Sequence, residues 1–216
     1  VGLAGDLERA AELAVTAFAF GREIDLPDAY ACFGTTMASL VNQGRSAELQ
    51  LPPEDDQVAP LIPLMRALGQ PDIDHEAEVR SVPLSALMGT YDLEALVIAA
   101  PAFAQWGSEE QRRGVADALL PYAGTHAVTG GCAAYYGPVD YYLGLLAGAL
   151  GEATRAQHHL SNAIDQARRL GATGWAAMAQ EASRVVATDR LDARWTHEGA
   201  TWQLTYAGTE VHLPAA

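Results

Sequence analysis

The segment from Thr125 to Asp140 combines residue types that a nucleophilic enzyme would use. Cys132 offers a thiol, His126 a base and Asp140 a carboxylate that could orient the base, which are the roles in a catalytic triad. One hypothesis is therefore a small helical enzyme that uses Cys132, His126 and Asp140. The alternative is structural: glycines end one helix, tyrosines cover the junction with the next, and the cysteine packs as a small apolar side chain.

The same segment is rich in aromatic residues, which suit a binding surface better than catalysis. Tyrosine and tryptophan supply large contact areas at the surfaces of repeat proteins and at interfaces. We therefore predict no catalytic residue and a surface that binds a ligand or a partner. The predicted binding residues are His126, Cys132, Tyr135, Tyr136, Asp140, Tyr141 and Trp175.

Three other polar groupings lack the spacing that metal ligands need. His75 begins a string like HExxH, but Val79 stands where the second histidine of a zinc site would be. The acidic run 72–78 has neither the glycine nor the ligand spacing of a calcium loop and is predicted to be a solvated face. His158 and His159 are adjacent and point apart on a helix, so both are predicted to be surface residues. We predict no metal site and no cofactor.

The charge composition excludes several functions. The chain has 216 residues and a net charge of −14, and its 13 basic side chains are all arginine. Without lysine it cannot form a P-loop phosphate site, a pyridoxal Schiff base or a serine–lysine pair on its own. The 27 acidic residues also oppose binding to a nucleic-acid backbone. We predict no direct nucleic-acid contact by this segment.

Cysteine usage and hydropathy bear on the cellular compartment. Cys32 and Cys132 stand a hundred positions apart and fit neither a disulfide framework nor a zinc ribbon. No apolar run reaches the ~20 residues needed to cross a bilayer, and the N-terminus lacks the layout of a signal peptide. We predict a cytoplasmic location without membrane contact.

Apolar residues recur at helical spacing through most of the chain, which predicts a series of amphipathic helices. Three of these helices carry the apolar sets Leu7 to Phe18, Ala156 to Leu170 and Trp175 to Val186. The others are predicted at Asp28–Gln43, Gln57–Leu68, Asp74–Arg80, Tyr91–Trp106, Ser108–Tyr122 and Val139–Leu150. Ser108 and Gln111 have the spacing of a capping box, which marks the start of a helix.

One pair of helices matches the tetratricopeptide repeat between Tyr141 and Arg169. The residues that follow the order of the repeat are Leu143, Gly144, Gly151, Ala156, Leu160 and Ala163. We predict an all-α fold, a tetratricopeptide-like solenoid of about four to five helical hairpins over residues 1–189. The opening helix matches only the second half of a repeat, so we expect the chain to be a fragment. Pro101 should kink or break its helix.

The pattern changes to alternation after Asp189, which predicts a short β-meander over residues 190–216. The alternating set is Trp195, His197, Trp202, Leu204, Tyr206, Val211 and Leu213. We predict two or three strands at the start of a further module. So small a sheet is marginally stable alone, so its apolar face should pack on the helices or on a following segment.

Several strings resemble the helical-repeat region of large actinobacterial signal-transduction ATPases and transcriptional regulators of the LuxR-type or cyclase-linked kind. The strings that carry this resemblance are Leu26–Ala29, Phe33-Gly34, Gln43–Arg45, Leu120–Gly124, Gly130-Gly131, Tyr136–Asp140, Tyr142–Leu146, Arg169–Ala172 and Trp202–Gly208. The match is more specific from Leu120 to Ala172 than before Gly107.

The resemblance implies that the strands around Trp202–Gly208 lead into a winged-helix-like module. It also implies a non-catalytic role in signal transduction and transcriptional regulation. In such proteins the repeats sense a ligand or partner and restrain an effector module, and the ATPase site lies in another part of the chain. The expected partners are another protein, neighbouring domains of the same chain, or a small-molecule effector. A third hypothesis makes the repeats a dimerising structural spacer.

Overall fold

The computed structural model describes residues 7–24, 59–87, 92–128, 135–191, 193–198, 201–206 and 209–214. Most of these residues are helical. The helices are α1 Leu7–Glu23, α2 Ile62–Gly69, α3 Glu76–Arg80, α4 Asp92–Trp106, α5 Glu109–Leu119, α6 Val139–Ala149, α7 Ala153–Leu170 and α8 Thr173–Leu191. Short 3₁₀ turns lie at Ala59–Leu61, Leu84–Leu87 and Leu120–Tyr122.

The strands form two small antiparallel sheets. Their bounds are β1 His126–Val128, β2 Tyr135–Pro138, β3 Ala193–Glu198, β4 Thr201–Tyr206 and β5 Thr209–Pro214. The first sheet pairs β1 with β2, with a register shift between Ala127 and Val128. The second has the order β3-β4-β5. The sequence predicted the second sheet but not the first.

The helix predictions are confirmed to within a few residues where the structure describes them. The predicted helix Asp28–Gln43 lies outside the described residues. Ser108 caps α5 as predicted: its side chain accepts from the backbone N–H of Gln111, and the Gln111 side chain accepts from the backbone N–H of Ser108. Because these bonds satisfy donors that no helix turn can reach, they fix where α5 begins.

The predicted β-meander is present as three strands. Trp195 pairs with Leu204, which in turn pairs with Val211, so these alternating positions occupy one row across the sheet. Residues 199–200 and 207–208 lie outside the described residues. The division into a repeat domain over 1–189 and a further module over 190–216 stays a prediction.

Helices α6 and α7 pack against each other in opposite directions. Asp140 at the start of α6 bonds Gln166 near the end of α7, while Gly144 faces Leu160. A Cβ at Gly144 would lie 2.5 Å from Cγ of Leu160, so only glycine allows this close approach. The structure therefore shows the predicted helical pairing here, whereas a tetratricopeptide-like solenoid stays a prediction.

Helix α4 lies in the main hydrophobic core. Leu96, Val97 and Phe103 are fully enclosed and belong to the same cluster as Leu119 of α5 and Leu146 of α6. The helix continues through Pro101, so the predicted break does not occur. Burying this apolar face offsets the roughly 3 kcal/mol that a proline costs inside a helix.

Arg112 occupies a position where the repeat pattern would place a small residue. Its guanidinium donates to the carbonyl oxygens of Phe103, at 2.9 Å, and of Ala149, at 3.3 Å. These carbonyls lie in the last turns of α4 and α6, and that of Phe103 also accepts from the backbone N–H of Gly107. Arg112 therefore joins the ends of two helices instead of allowing them to approach closely.

Among the residues that the structure describes, no helix combines the length and hydrophobicity needed to cross a membrane.

Candidate functional site

The candidate site is built by the polypeptide between α5 and α6. Strands β1 and β2 carry His126, Tyr135 and Tyr136, and the chain then enters α6, whose first turn carries Asp140 and Tyr141. Gly137 makes the passage from strand to helix possible. It has a φ of +94°, and a Cβ there would lie 2.4 Å from the Trp175 ring. Glycine thus allows both the unusual backbone conformation and the close packing on α8.

Four rings form what we call the aromatic strip: His126, Tyr135, Trp175 and Tyr141. The ring centroids of His126 and Tyr135 are 5.8 Å apart, and Nδ1 of His126 lies 2.9 Å from the Tyr135 hydroxyl. Trp175 meets Tyr135 and Tyr141 edge to face, at 5.9 and 5.7 Å. Trp175 is only 3% exposed, whereas the other three are partly exposed. The strip is therefore a partly accessible surface on a buried indole.

The strip is electrically neutral at pH 7. Burial raises the pKa of both Tyr135 and Tyr141 to about 12, so both hydroxyls keep their protons. The pKa of His126 is lowered, first by burial and then by the positive charge of Arg169. A neutral imidazole beside a protonated phenol can accept the phenol's hydrogen bond at Nδ1.

A second group of residues surrounds the carboxylate of Asp140, which is only 1% exposed. We call this group the Asp140 network. One oxygen accepts from Nδ1 of His159 at 2.8 Å and from Asn162 at 3.4 Å. The other accepts from the backbone N–H of Gly124 at 2.6 Å and from Gln166 at 2.9 Å.

The donors of the Asp140 network determine how its carboxyl group titrates. Burial alone would raise the pKa of Asp140, but the bonds from His159, Gln166, Gly124 and Asn162 outweigh it and hold the pKa well below 3.8. The group is therefore ionised at neutral pH. Because it joins the turn before β1 to α6 and α7, the network fixes the position of the strands that carry the strip.

The prediction that His159 lies on the surface is wrong. His158 is exposed as predicted, but His159 is only 7% exposed and bonds Asp140. Helical spacing could have revealed this, because His159, Asn162 and Gln166 are three and four residues apart and share one helix face. The Gln166 side chain also keeps one buried oxygen, Oε1, that has no hydrogen-bond partner among the described residues.

Tyr136 lies in the core beneath the strip. It is only 2% exposed, and its hydroxyl donates to the Glu94 carboxylate at 2.7 Å. The Tyr142 hydroxyl donates to the backbone carbonyl of Tyr136 at 2.5 Å. Burial raises the pKa of Glu94, an effect only partly offset by the bond from Tyr136. Of the predicted binding residues, Tyr136, Asp140 and Trp175 are thus enclosed, while His126, Tyr135 and Tyr141 are partly accessible.

The structure separates two members of the hypothetical catalytic triad. His126 pairs with the Tyr135 hydroxyl, and Asp140 pairs with a different histidine, His159. The bond between His126 and Asp140 that would orient a catalytic base is therefore replaced by other partners. Cys132 lies outside the described residues.

The acidic run 72–78 is mainly exposed, as predicted for a solvated face. Its histidine is different: His75 is buried, with Nε2 lying 3.1 Å from the carbonyl of Gln70 and its ring edge-on to Trp106. Within the described part of the chain, no three histidine, cysteine or acidic side chains gather in a way that could hold a metal ion.

Comparison of the chain with protein-family models, with curated proteins and with solved structures finds no match.

Proposed function

We propose that this chain is a non-catalytic sensing or protein-interaction region of a multidomain signalling or transcriptional regulator. The observation that carries the proposal is the aromatic strip, in which partly exposed rings rest on a buried indole. Aromatic residues that are already held in place lose little conformational freedom on binding, so they contribute strongly to recognition. The resemblance to the helical-repeat regions of actinobacterial regulators agrees with such a role.

The distribution of hydrogen bonds also favours recognition over catalysis. Asp140, Tyr136 and Tyr142 all use their polar atoms within the fold. A general base needs a lone pair that can reach substrate together with a group that orients it. His126 has the Tyr135 hydroxyl, and not a carboxylate, at Nδ1, which supports a role in recognition over a role in the hypothetical triad.

The connections beneath the strip suggest how binding could be transmitted. The Asp140 network joins the turn at Gly124 to α6 and α7, and Trp175 joins the strip to α8. A ligand that prefers one arrangement of these elements would shift the population between two states. In the full regulator, that shift would change the restraint on an attached effector module.

The proposal is tested by thermal unfolding of the chain against a panel of metabolites, nucleotides, sugars and short peptides. A site-specific ligand at 100 times its dissociation constant adds about 2.7 kcal/mol and raises the midpoint by several degrees. Tyr135→Ala should abolish the shift. Tyr122→Ala is the matched control, because Tyr122 is 40% exposed and lies outside the strip.

Two further variants keep the test clear if Tyr135→Ala unfolds the chain. Tyr135→Phe and Tyr141→Phe keep the rings and remove only the hydroxyls, so they should fold and bind less tightly. Circular dichroism checks the fold of each variant. A panel without any hit, or a hit that these variants leave unchanged, contradicts the proposal.

A further inference from the structure

Arg169 is an exposed cation beside the aromatic strip. Other arginines of the described region pair within the fold, such as Arg113 with Glu109 and Glu152, and Arg155 with Glu152. Among the described residues, neither Arg168 nor Arg169 has a carboxylate or carbonyl partner, and both are exposed. In a chain with 27 acidic residues and only 13 basic ones, an unpaired arginine leaves its charge available to another molecule.

The position of Arg169 on α7 places it at the His126 end of the strip. It follows Gln166 by three residues and Asn162 by seven, so it continues the helix face that bonds Asp140. The Asp140 network also holds Gly124, two residues before His126. The effect of Arg169 on the pKa of His126 agrees with this proximity. Arg168 is adjacent in sequence but lies on a different side of the helix.

The strip and Arg169 present hydrogen-bonding groups as well as apolar ring surface. Nδ1 of His126 lies 2.9 Å from the Tyr135 hydroxyl, which keeps its proton because burial raises its pKa to about 12. Among the described residues the Tyr141 hydroxyl has no hydrogen-bond partner, so it can donate or accept. The Arg169 guanidinium can only donate, and its positive charge favours an anion.

Resting on the proposed function, we propose that the aromatic strip and Arg169 together bind an extended acidic segment of a partner protein. A carboxylate of that segment pairs with Arg169, and an adjacent apolar or aromatic side chain packs on the rings of Tyr135 and Tyr141. Three successive ring distances of 5.8, 5.9 and 5.7 Å set an upper limit to the length of the strip. An extended peptide covers it with about five residues at ~3.3 Å each.

Two physical considerations favour a peptide over a small anion. Small ligands bind in clefts that enclose most of their surface, whereas Arg169 is exposed and the strip is partly exposed. The net charge of −14 opposes an acidic partner at long range. However, the Debye length is only ~8 Å at physiological ionic strength, so charges beyond it are largely screened and the local guanidinium decides the contact.

The test measures fluorescence anisotropy of the full chain with short labelled peptides of about seven residues at physiological salt. The peptides come in matched pairs that carry either Asp and Glu or Asn and Gln around the same aromatic residue. We expect the acidic member to bind at least tenfold more tightly than its amide partner. Arg169→Gln should remove about tenfold in affinity, the magnitude of one charge-assisted hydrogen bond.

Arg168→Gln is the matched control, because it removes the same charge from the same helix and should leave affinity nearly unchanged. Equal binding of acidic and amide peptides, or equal losses from both arginine variants, would overturn the acidic partner while the interaction role stands. Binding of small metabolites without binding of peptides would likewise overturn the acidic partner and leave the interaction role in place. If neither peptides nor metabolites bind, both this inference and the proposed function fail.

Discussion

Two carboxylates of this chain, the buried Asp140 and the partly buried Glu94, have pKa values that are shifted in opposite directions. Asp140 accepts hydrogen bonds from His159, Gln166, Asn162 and the backbone of Gly124, and its pKa lies below 3.8. Glu94 has Tyr136 as its only described donor, and its pKa lies above 4.5. A bond to a charged group contributes about 1.5–3 kcal/mol. Several such bonds outweigh the desolvation of a carboxylate, and one does not.

The largest loss of stability is expected from removing the Asp140 carboxylate, which accepts all the hydrogen bonds of the network. Asp140→Ala leaves the buried donors of His159 and Gln166 without a partner, which should destabilise the fold by about 3–5 kcal/mol. Urea denaturation measures the change. The control is Asp165→Ala on α7, the helix that carries His159 and Gln166, where the side chain is exposed and the loss should stay within about 0.5 kcal/mol. Equal losses from both variants would contradict the account of the network.

A smaller effect comes from Gly137, which connects the strand of Tyr136 to the helix of Asp140. Gly137→Ala should cost about 2–4 kcal/mol, because it adds a Cβ against the Trp175 ring at a φ of +94°. Gly124→Ala shares the positive φ, +82°, but meets open space. It should cost about 1 kcal/mol. Thermal unfolding of both variants separates steric contact from backbone strain, and equal losses would show that Trp175 does not limit position 137.

The smallest expected change in stability is a gain and not a loss. Glu94→Gln should stabilise the fold at pH 7 by less than about 1 kcal/mol, because the amide oxygen still accepts from Tyr136 without carrying a charge into a partly buried site. Urea denaturation at neutral pH checks the sign. A clear loss of stability would show that the charge of Glu94 itself supports the fold.

The pH dependence of stability also distinguishes the two carboxylates, Glu94 and Asp140. Glu94 has a raised pKa in the fold, so its contribution to stability is present at low pH and declines as pH rises through that folded pKa. The advantage of Glu94→Gln should therefore shrink as pH is lowered toward 4. The pKa of Asp140 is depressed, so its contribution is present above the unfolded value and declines only as pH falls below it.

The sequence predicted the helices because their signals are local. The cap formed by Ser108 and Gln111 depends on residues three apart, and the apolar spacing of Val139–Leu150 needs no knowledge of distant partners. The β-meander was also predictable, since alternation and turn residues occur within one short segment. Such patterns are decided by neighbours along the chain.

The first sheet and the Asp140 network depend on long-range contacts. Strand β1 has only three residues, too few for a period to be recognised. Asp140 bonds Gly124 and Gln166, which are 16 and 26 positions away in the sequence. No local sequence pattern predicts contacts at such separations. The aromatic strip was predicted by residue type, but the same argument included Tyr136, because composition does not distinguish a tyrosine at the surface from one in the core.

The hydrogen bond from Gly124 to Asp140 makes local opening of the site measurable, which measurements of global stability do not. Gly124 lies in an exposed turn between α5 and β1, where a backbone amide ordinarily exchanges its hydrogen with solvent rapidly. Here that amide is held at 2.6 Å by a buried carboxylate, so it exchanges only when the turn opens. Its exchange rate therefore reports how often the strands leave α6 and α7, one amide recording the local opening of the site.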